Sequence, residues 1–417
     1  MNVVGVIAEY NPFHNGHKYQ LDQIKKLTHA DYCIVVMSGD FVQRGSPAII
    51  DKYSRAKMAL QNGADLVLEL PVYYATGSAE YFAAGAVALL DRLGVVNRLC
   101  FGSECGDISV LNSIAKVLTD ESDAFSDALR CNLRDGLSYP VARNNALTFV
   151  HPELAEHLDV LSSPNNILGI EYLKALYRRK STIIPFTNLR VGSEYHDTML
   201  SANTSSATAI RHSLEQTDHL LLIANQVPSS VFRIMEEHFH VNYPIYTQDI
   251  SLALNYKLLQ YHGKGYTEFA DITTDLSDKI LKNLEQFTGF ETFCELLKSK
   301  DMTYTRISRC LLHILLDIRK ESLQNFIADD FVYYGRILGL KQSSTAILNA
   351  IKTNGSIPLI SKLADAENVL AASKYPEHAL EMLESDIFAA HVYDSVATNK
   401  FHTYLPNEYR RQIVKVR

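Results

Sequence analysis

The chain has 417 residues, 47% of them hydrophobic and 21% charged, with a formal net charge of −7 and a pI near 6.1. That is a globular composition with room for about two to three domains, and it excludes a disordered or fibrous chain. It carries no global positive charge pointing to nucleic acid or a membrane surface.

The chain opens Met1-Asn2-Val3-Val4-Gly5-Val6-Ile7 without a basic region, so no signal peptide is expected. No run approaches the ~20 apolar residues of a membrane helix, so no membrane partner is expected. Six cysteines (Cys33, Cys100, Cys105, Cys131, Cys294 and Cys310) include no Cys-x-x-Cys pair. Neither a disulfide framework nor a protein-held metal is expected, and a reducing cytoplasm is the expected compartment.

The predicted elements begin with a strand over Asn2–Ala8, a turn, and a helix from about Gly16 to Thr28. Asp31–Met37 is a second strand. Ser46-Pro47 reads as the cap and first residue of a helix to Asn62, stopped by Gly63. A third strand over Asp65–Leu70 precedes a helix over Ser78–Leu93, and Val96–Phe101 is a fourth. Ser163-Pro164 opens another helix before a fifth strand, Thr182–Phe186. Wholly apolar strands separated by helices predict an α/β fold with a Rossmann-like parallel sheet. Beyond residue 220 the pattern turns helical, through Leu220–Gln226, Ser251–Tyr261, Leu276–Gln286, Thr303–Lys320, Ser344–Thr353 and His378–Leu383. The expected division is a nucleotide-binding catalytic domain over 1–220 and a mainly helical domain over 221–417.

In such folds ligands bind beyond the carboxyl ends of the strands. There the sequence places Glu9–His17, Ser38–Gly45, Gly102–Glu104 and Thr187–Ser193. In the first, His14 and His17 sit three apart at the opening of a helix, whose positive end and N–H groups suit a polyphosphate. Gly16 would let phosphates approach the backbone. A second segment, Asn203–Arg211, puts hydroxyls before a helix and Arg211 one turn in, suited to gripping a leaving pyrophosphate. A third carries Asp40, to orient a histidine or hold a nucleophile, with Arg44 or Lys52 to hold the carboxylate of a small acid. Each also has a plain structural reading: core histidines, a Ser206-capped helix, an Asp40-capped turn.

His14-Asn15-Gly16-His17 resembles the His-x-Gly-His signature of the nucleotidyltransferase superfamily, related to class I aminoacyl-tRNA synthetases. Ser205–Arg211 is similar to that superfamily's Ser-Ser-Thr-x-Ile-Arg loop, with Ala207 inserted before the threonine. The runs GVIAEYNPFHNGH, SGDFVQRGSPAIIDKYSRAKMALQNGADLVLELP, FGSE, SSPNNILGIEYLKAL, SATAIR and YTRISRCLLHILL resemble the tRNA(Met) cytidine acetate ligases over essentially the full chain. The resemblance implies that ATP and acetate form acetyl-adenylate, whose acetyl group passes to N4 of the wobble cytidine of elongator tRNA(Met). It implies an ATP site on Ile7, Ala8, Glu9, Tyr10, Asn11, Pro12, Phe13, His14, Asn15, Gly16, His17, Lys18, Tyr19 and Gln20, with Gly102, Asn165 and Arg190. Mg²⁺ is expected with the ATP, and His14, His17, Asp40 and Arg211 are the expected catalytic residues. Two other classes fit some of the same residues: a small-molecule adenylyltransferase, and a non-catalytic tRNA-binding protein on a nucleotide fold. No protein partner is evident.

The helix from Thr303 has an apolar stripe of Ile307, Leu311, Ile314, Leu315 and Ile318, with Arg306, Arg309 and His313 off it. The tail adds Arg410, Arg411, Lys415 and Arg417 against Glu408. Arg306, Arg309, Arg410 and Arg411 are the candidate tRNA contacts.

Overall fold

The computed structural model describes residues 1–120, 122–190 and 205–417. Its strands are, in chain order, β1 (Val3–Ala8), β2 (Tyr32–Ser38), β3 (Phe41–Val42), β4 (Ser46–Pro47) and β5 (Leu66–Leu70), then β6 (Arg98–Ser103), β7 (Ile184–Leu189), β8 (Gly335–Lys341), β9 (Leu359–Ile360) and β10 (Val414–Val416). Two helices matter most for the site, α1 (Asn15–Thr28) and α2 (Lys52–Gln61).

The main sheet runs β10-β8-β5-β2-β1-β6-β7, with β9 attached to β8. β1 pairs in parallel with β2 and β6, β2 with β5, and β6 with β7. Val3, Ile34, Val36 and Leu66 enter one core, while Val4, Val35, Met37 and Val67 enter another. Both faces are thus covered, which is why these strands read as unbroken apolar runs. The chain winds from β1 through β2 to β5 on one side, then crosses to β6 and β7 on the other. That reversal opens a crevice at the carboxyl ends of β1 and β6, the expected place for a ligand.

Residues 221–417 are mainly helical and also lend strands to the sheet: β8 pairs antiparallel with β5 and β10 pairs in parallel with β8. The sheet is therefore mostly parallel with one antiparallel pair. One expectation needs correction. Ser46-Pro47 does not start a helix; it pairs with Phe41–Val42 in a hairpin. α2 begins later because the Asp51 carboxylate caps it, accepting from the backbone N–H groups of Tyr53 and Ser54 at 3.0 and 3.1 Å.

His313 also departs from its expected place beside Arg306 and Arg309. It is buried, with Nδ1 2.9 Å from the Ala270 carbonyl and Nε2 3.0 Å from the Thr76 carbonyl. The imidazole links two chain segments and is no phosphate contact.

A buried ionic cluster joins the tail to the sheet. Lys52 Nζ lies 2.9 Å from Glu69, 3.4 Å from Glu408 and 3.7 Å from Asp40. Arg336 pairs with Glu69 at 3.0 Å and also with Glu408. Burial pushes the Glu408 carboxyl up, but Lys52 and Arg336 outweigh it and hold it down at about 2.

Candidate active site

The loop after β1 is held from beneath by Arg55, which is fully buried. Its guanidinium donates to the carbonyls of Ile50 at 2.9 Å, Glu9 at 2.7 Å, Ser38 at 3.0 Å, and also Gly39. One side chain thereby fixes the ends of β1 and β2 relative to α2. The Asn11 side chain adds a bond, accepting from Ile49 N–H at 2.8 Å. The Glu9 carboxylate accepts from Gln43 N–H at 2.9 Å, which seats the hairpin against the same loop.

The two histidines cap α1 reciprocally. His14 Nδ1 accepts from the N–H of Gly16 at 3.1 Å, and His17 Nδ1 accepts from the N–H of His14 at 3.2 Å. Their rings stack with centroids 3.6 Å apart. A nitrogen accepting from a backbone N–H carries no proton, so in both neutral rings the proton sits on Nε2. The pair therefore offers two Nε2–H donors. Burial, with Arg190 and Arg211 nearby, lowers His14 to about 3, and burial, His14 and Arg190 lower His17 as well.

This refines the sequence expectation about the helix end. The N–H groups of Asn15 and Gly16 are already bonded, to the Gln226 carbonyl at 3.0 Å and to His14. The histidine Nε2–H groups stand in for backbone donors. Gly16 is needed for a different reason as well: a Cβ there would lie 2.9 Å from the His14 ring.

The cap carries a pH consequence. His14 has a folded pKa of about 3 against an ordinary 6.5, so between these values the unfolded chain binds more protons. Stability from this group is present above pH 6.5 and is lost on acidification toward pH 3. Urea melts at pH 7 and 5 should differ by roughly 2 kcal/mol from this residue. In His14→Asn, where the amide oxygen can keep the cap, that part of the difference should vanish; an unchanged difference would show that His14 is not held neutral.

The cleft above these rings is open to solvent on one side. Ile7, Ala8, Glu9, Tyr10, Asn11, His14, His17 and Gln20 line it, together with Gly102, Asn165, Arg190 and Arg211. The expected Pro12, Phe13, Asn15, Gly16, Lys18 and Tyr19 do not. Phe13 packs against Tyr10 and His17 from the core side, Lys18 pairs with Asp22 at 3.0 Å, and the Asn15 amide donates to the Asn225 carbonyl at 2.8 Å.

Asp40 is corrected outright. It does not line the cleft; its carboxylate accepts from Lys52 N–H at 2.8 Å within the buried ionic cluster. Lys52 is committed to the same cluster and leaves no charge for a small acid. Asn165 does reach the cleft, but not through free backbone donors. Glu104 accepts from Asn165 N–H at 3.3 Å, its Nδ2 at 2.6 Å and Asn166 N–H at 2.9 Å, occupying that helix N-terminus itself.

Arg211 donates to the Asn11 carbonyl at 2.6 Å and to Thr208 Oγ1 at 3.2 Å, tying the second motif to the first. Ser206 caps the helix Ala207–Thr217 through the N–H of Ala209 at 3.1 Å and lines the cleft with Ala207 and Thr208. Asn203, Thr204 and the part of the fourth segment after Arg190 lie outside the described residues.

Gln43 lies in the expected Ser38–Gly45 segment, whereas sequence reasoning missed Phe82, Phe101, Leu168 and Tyr172 as lining residues. Phe101 and Tyr172 pack with centroids 5.6 Å apart, forming an apolar wall. Phe101 was findable as the residue before Gly102 at a strand end; Phe82 and Leu168 carry no local signal. Among the described residues, three arginines (Arg44, Arg190, Arg211) and one carboxylate (Glu9) line the cleft. It is built for an anion with an apolar part.

Among the described residues, no group of three or more His, Cys, Asp or Glu is placed to hold a metal ion, and no helix is long and apolar enough to cross a membrane.

A family model described as HIGH Nucleotidyl Transferase matches residues 1–407. The chain is 41% identical over 395 residues to the tRNA(Met) cytidine acetate ligase of Caldanaerobacter subterraneus subsp. tengcongensis, covering 94% of this chain and 95% of that one. It is 40% identical over 368 residues to the ligase of Clostridium novyi, covering 88% and 92%. It superposes on the crystal structure of apo Thermotoga maritima TmcAL with a TM-score of 0.94 and 32% identity, covering 100% of both chains. Against the same protein bound with alpha-thio ATP the TM-score is 0.91 at 31% identity, covering 100% and 99%. With the His14–His17 cap, the Arg211 clip and the switch-point cleft in place, the chain belongs to the HIGH nucleotidyl transferase family and, within it, to the tRNA(Met) cytidine acetate ligases.

Proposed function

We propose that this protein activates acetate with ATP as acetyl-adenylate and transfers the acetyl group to N4 of the wobble cytidine of elongator tRNA(Met). The stacked histidine pair at the mouth of an arginine-lined cleft carries this reading. Its kinship with a ligase bound to an ATP analogue supports the nucleotide.

In the first step an acetate oxygen attacks the α-phosphorus and pyrophosphate leaves. Negative charge grows on the phosphate oxygens, and donors fixed before the reaction stabilise it without reorganising. Nε2–H of His14 and His17 supply that role beside the α-phosphate. Arg211, Ser206 and Thr208 suit the leaving pyrophosphate, and Arg190 adds charge from the end of β7. The wall of Phe82, Phe101, Leu168 and Tyr172 suits the adenine face. Among the described lining residues Glu9 carries the carboxylate that would help hold a Mg²⁺ bound with ATP, which would supply charge neutralisation. In the second step cytidine N4 attacks the acetyl carbon, the C–O bond to phosphate breaks and AMP leaves. The amine N4 is a weak nucleophile, which is why the mixed anhydride is needed. A reducing cytoplasm fits cysteines that are all free.

The test is exchange of labelled pyrophosphate into ATP without tRNA. We expect exchange that depends on acetate. Exchange that ignores acetate and requires a phosphorylated small molecule would favour an adenylyltransferase instead.

A further inference from the structure

The hairpin β3–β4 does more than wall the cleft. Gln43 and Arg44 sit on its turn and line the cavity. The next residue, Gly45, rests directly on the helix Tyr304–Leu315. Ser308 Oγ donates to the Gly45 carbonyl at 2.8 Å. A Cβ on Gly45 would fall 2.4 Å from the backbone nitrogen of Arg309, and Gly45 has φ +80°. Only glycine allows this approach. Arg309 therefore lies one backbone contact away from the cleft-lining Arg44, and Arg306 is one helical turn before it.

Arg309 is unusual in a second way. Its Nε is sealed from solvent without a hydrogen-bond partner, and among the described residues neither Arg309 nor Arg306 is held in an ion pair. Asp271 acts on Arg309 only from beyond ion-pair distance, and a packed guanidinium without a paired anion is costly. The contrast with the tail is instructive. Arg411 is spent on Asp394 at 3.0 Å, Glu408 at 3.9 Å and Asp51 at 4.0 Å. Arg410 is exposed. Of the four basic residues first considered, Arg306 and Arg309 lie on the helix that carries the hairpin turn and are held in no ion pair among the described residues.

We propose that Arg44, Arg306 and Arg309 form a rim that grips phosphates of the RNA strand delivering cytidine to the cleft. This rests on the ligase reading above and says where its RNA substrate enters. Arginine suits the task because its planar fork can hold two phosphate oxygens at once. The hairpin gives the contact its register: a phosphate held at Arg309 sits beside the segment that lines the nucleotide cleft. Arg411 plays no part in RNA binding here; it anchors the tail.

The test measures binding of an elongator tRNA(Met) transcript to the full-length protein across a salt series. Arg309→Gln and Arg306→Gln should each weaken binding about 10-fold. Each should also reduce the slope of log affinity against log salt by about 0.7, one lost phosphate contact on a single strand. Arg309→Lys should restore the slope, which a merely packing role would not do. Arg306, half-exposed on its helix, keeps the test valid if Arg309→Gln does not fold. Unchanged affinity and slope in folded variants overturn the proposal. So does loss of ATP affinity with tRNA affinity intact, since the rim would then serve the triphosphate. If the unaltered protein binds no tRNA at all, both this proposal and the ligase reading fall, whereas normal wild-type binding with silent variants removes only the rim.

Discussion

His17→Asn is expected to lower acetate-dependent ATP–pyrophosphate exchange by on the order of 10²-fold or more. The asparagine side-chain oxygen falls near the former Nδ1, so it can still accept from His14 N–H, the bond measured at 3.2 Å. Nothing replaces the Nε2–H. Stability should therefore change by less than about 1 kcal/mol while chemistry is lost. His17→Gln reverses the exchange of parts: its amide nitrogen reaches toward the former Nε2 while the cap bond goes. It should retain more activity than His17→Asn and melt earlier. Circular dichroism melts beside exchange rates separate the two functions. If His17→Asn exchanged at the wild-type rate, the histidine would be a cap and nothing else.

Lys52→Met should destabilise the fold by about 3–5 kcal/mol. Its ammonium lies within 3.7 Å of three carboxylates, Asp40, Glu69 and Glu408, all buried. Removing it leaves excess negative charge where solvent cannot compensate. Arg336 would still pair with Glu69 and Glu408, which keeps the loss from being larger. Because Glu408 belongs to the tail, the same substitution should free residues after about 401 to proteolysis. The urea midpoint checks the first effect and limited digestion the second; a change below 1 kcal/mol would show that the cluster is dispensable.

The sheet centre was legible in the sequence because buried parallel strands leave unbroken apolar runs such as DYCIVVM, and the histidine loop because its spacing follows one of them. β8 was not, since GRILGLK contains two glycines and sits among helices, and only long-range pairing with β5 makes it a strand. Asp40 and Lys52 misled for a shared reason. A charged residue in a loop after a strand looks the same whether it faces a ligand or a buried counter-charge. What decides is Glu408, more than 300 residues away in sequence, and no local pattern reports it. His313 failed in the same way, its partners being carbonyls of Thr76 and Ala270. Arg211, by contrast, was legible as a charge near hydroxyls, though its bond to the Asn11 carbonyl was not. A net charge of −7 coexists with a cleft that, among the described residues, is lined by three arginines and one glutamate.

The central claim is that this chain joins acetate to a tRNA cytidine at the expense of ATP. The most direct measurement incubates the purified protein with ATP, isotopically labelled acetate and bulk tRNA, then analyses the nucleosides by mass. The account predicts labelled N4-acetylcytidine that appears only with ATP and is confined to tRNA(Met). Modified tRNA without label, or label in no nucleoside while AMP still accumulates, would contradict it.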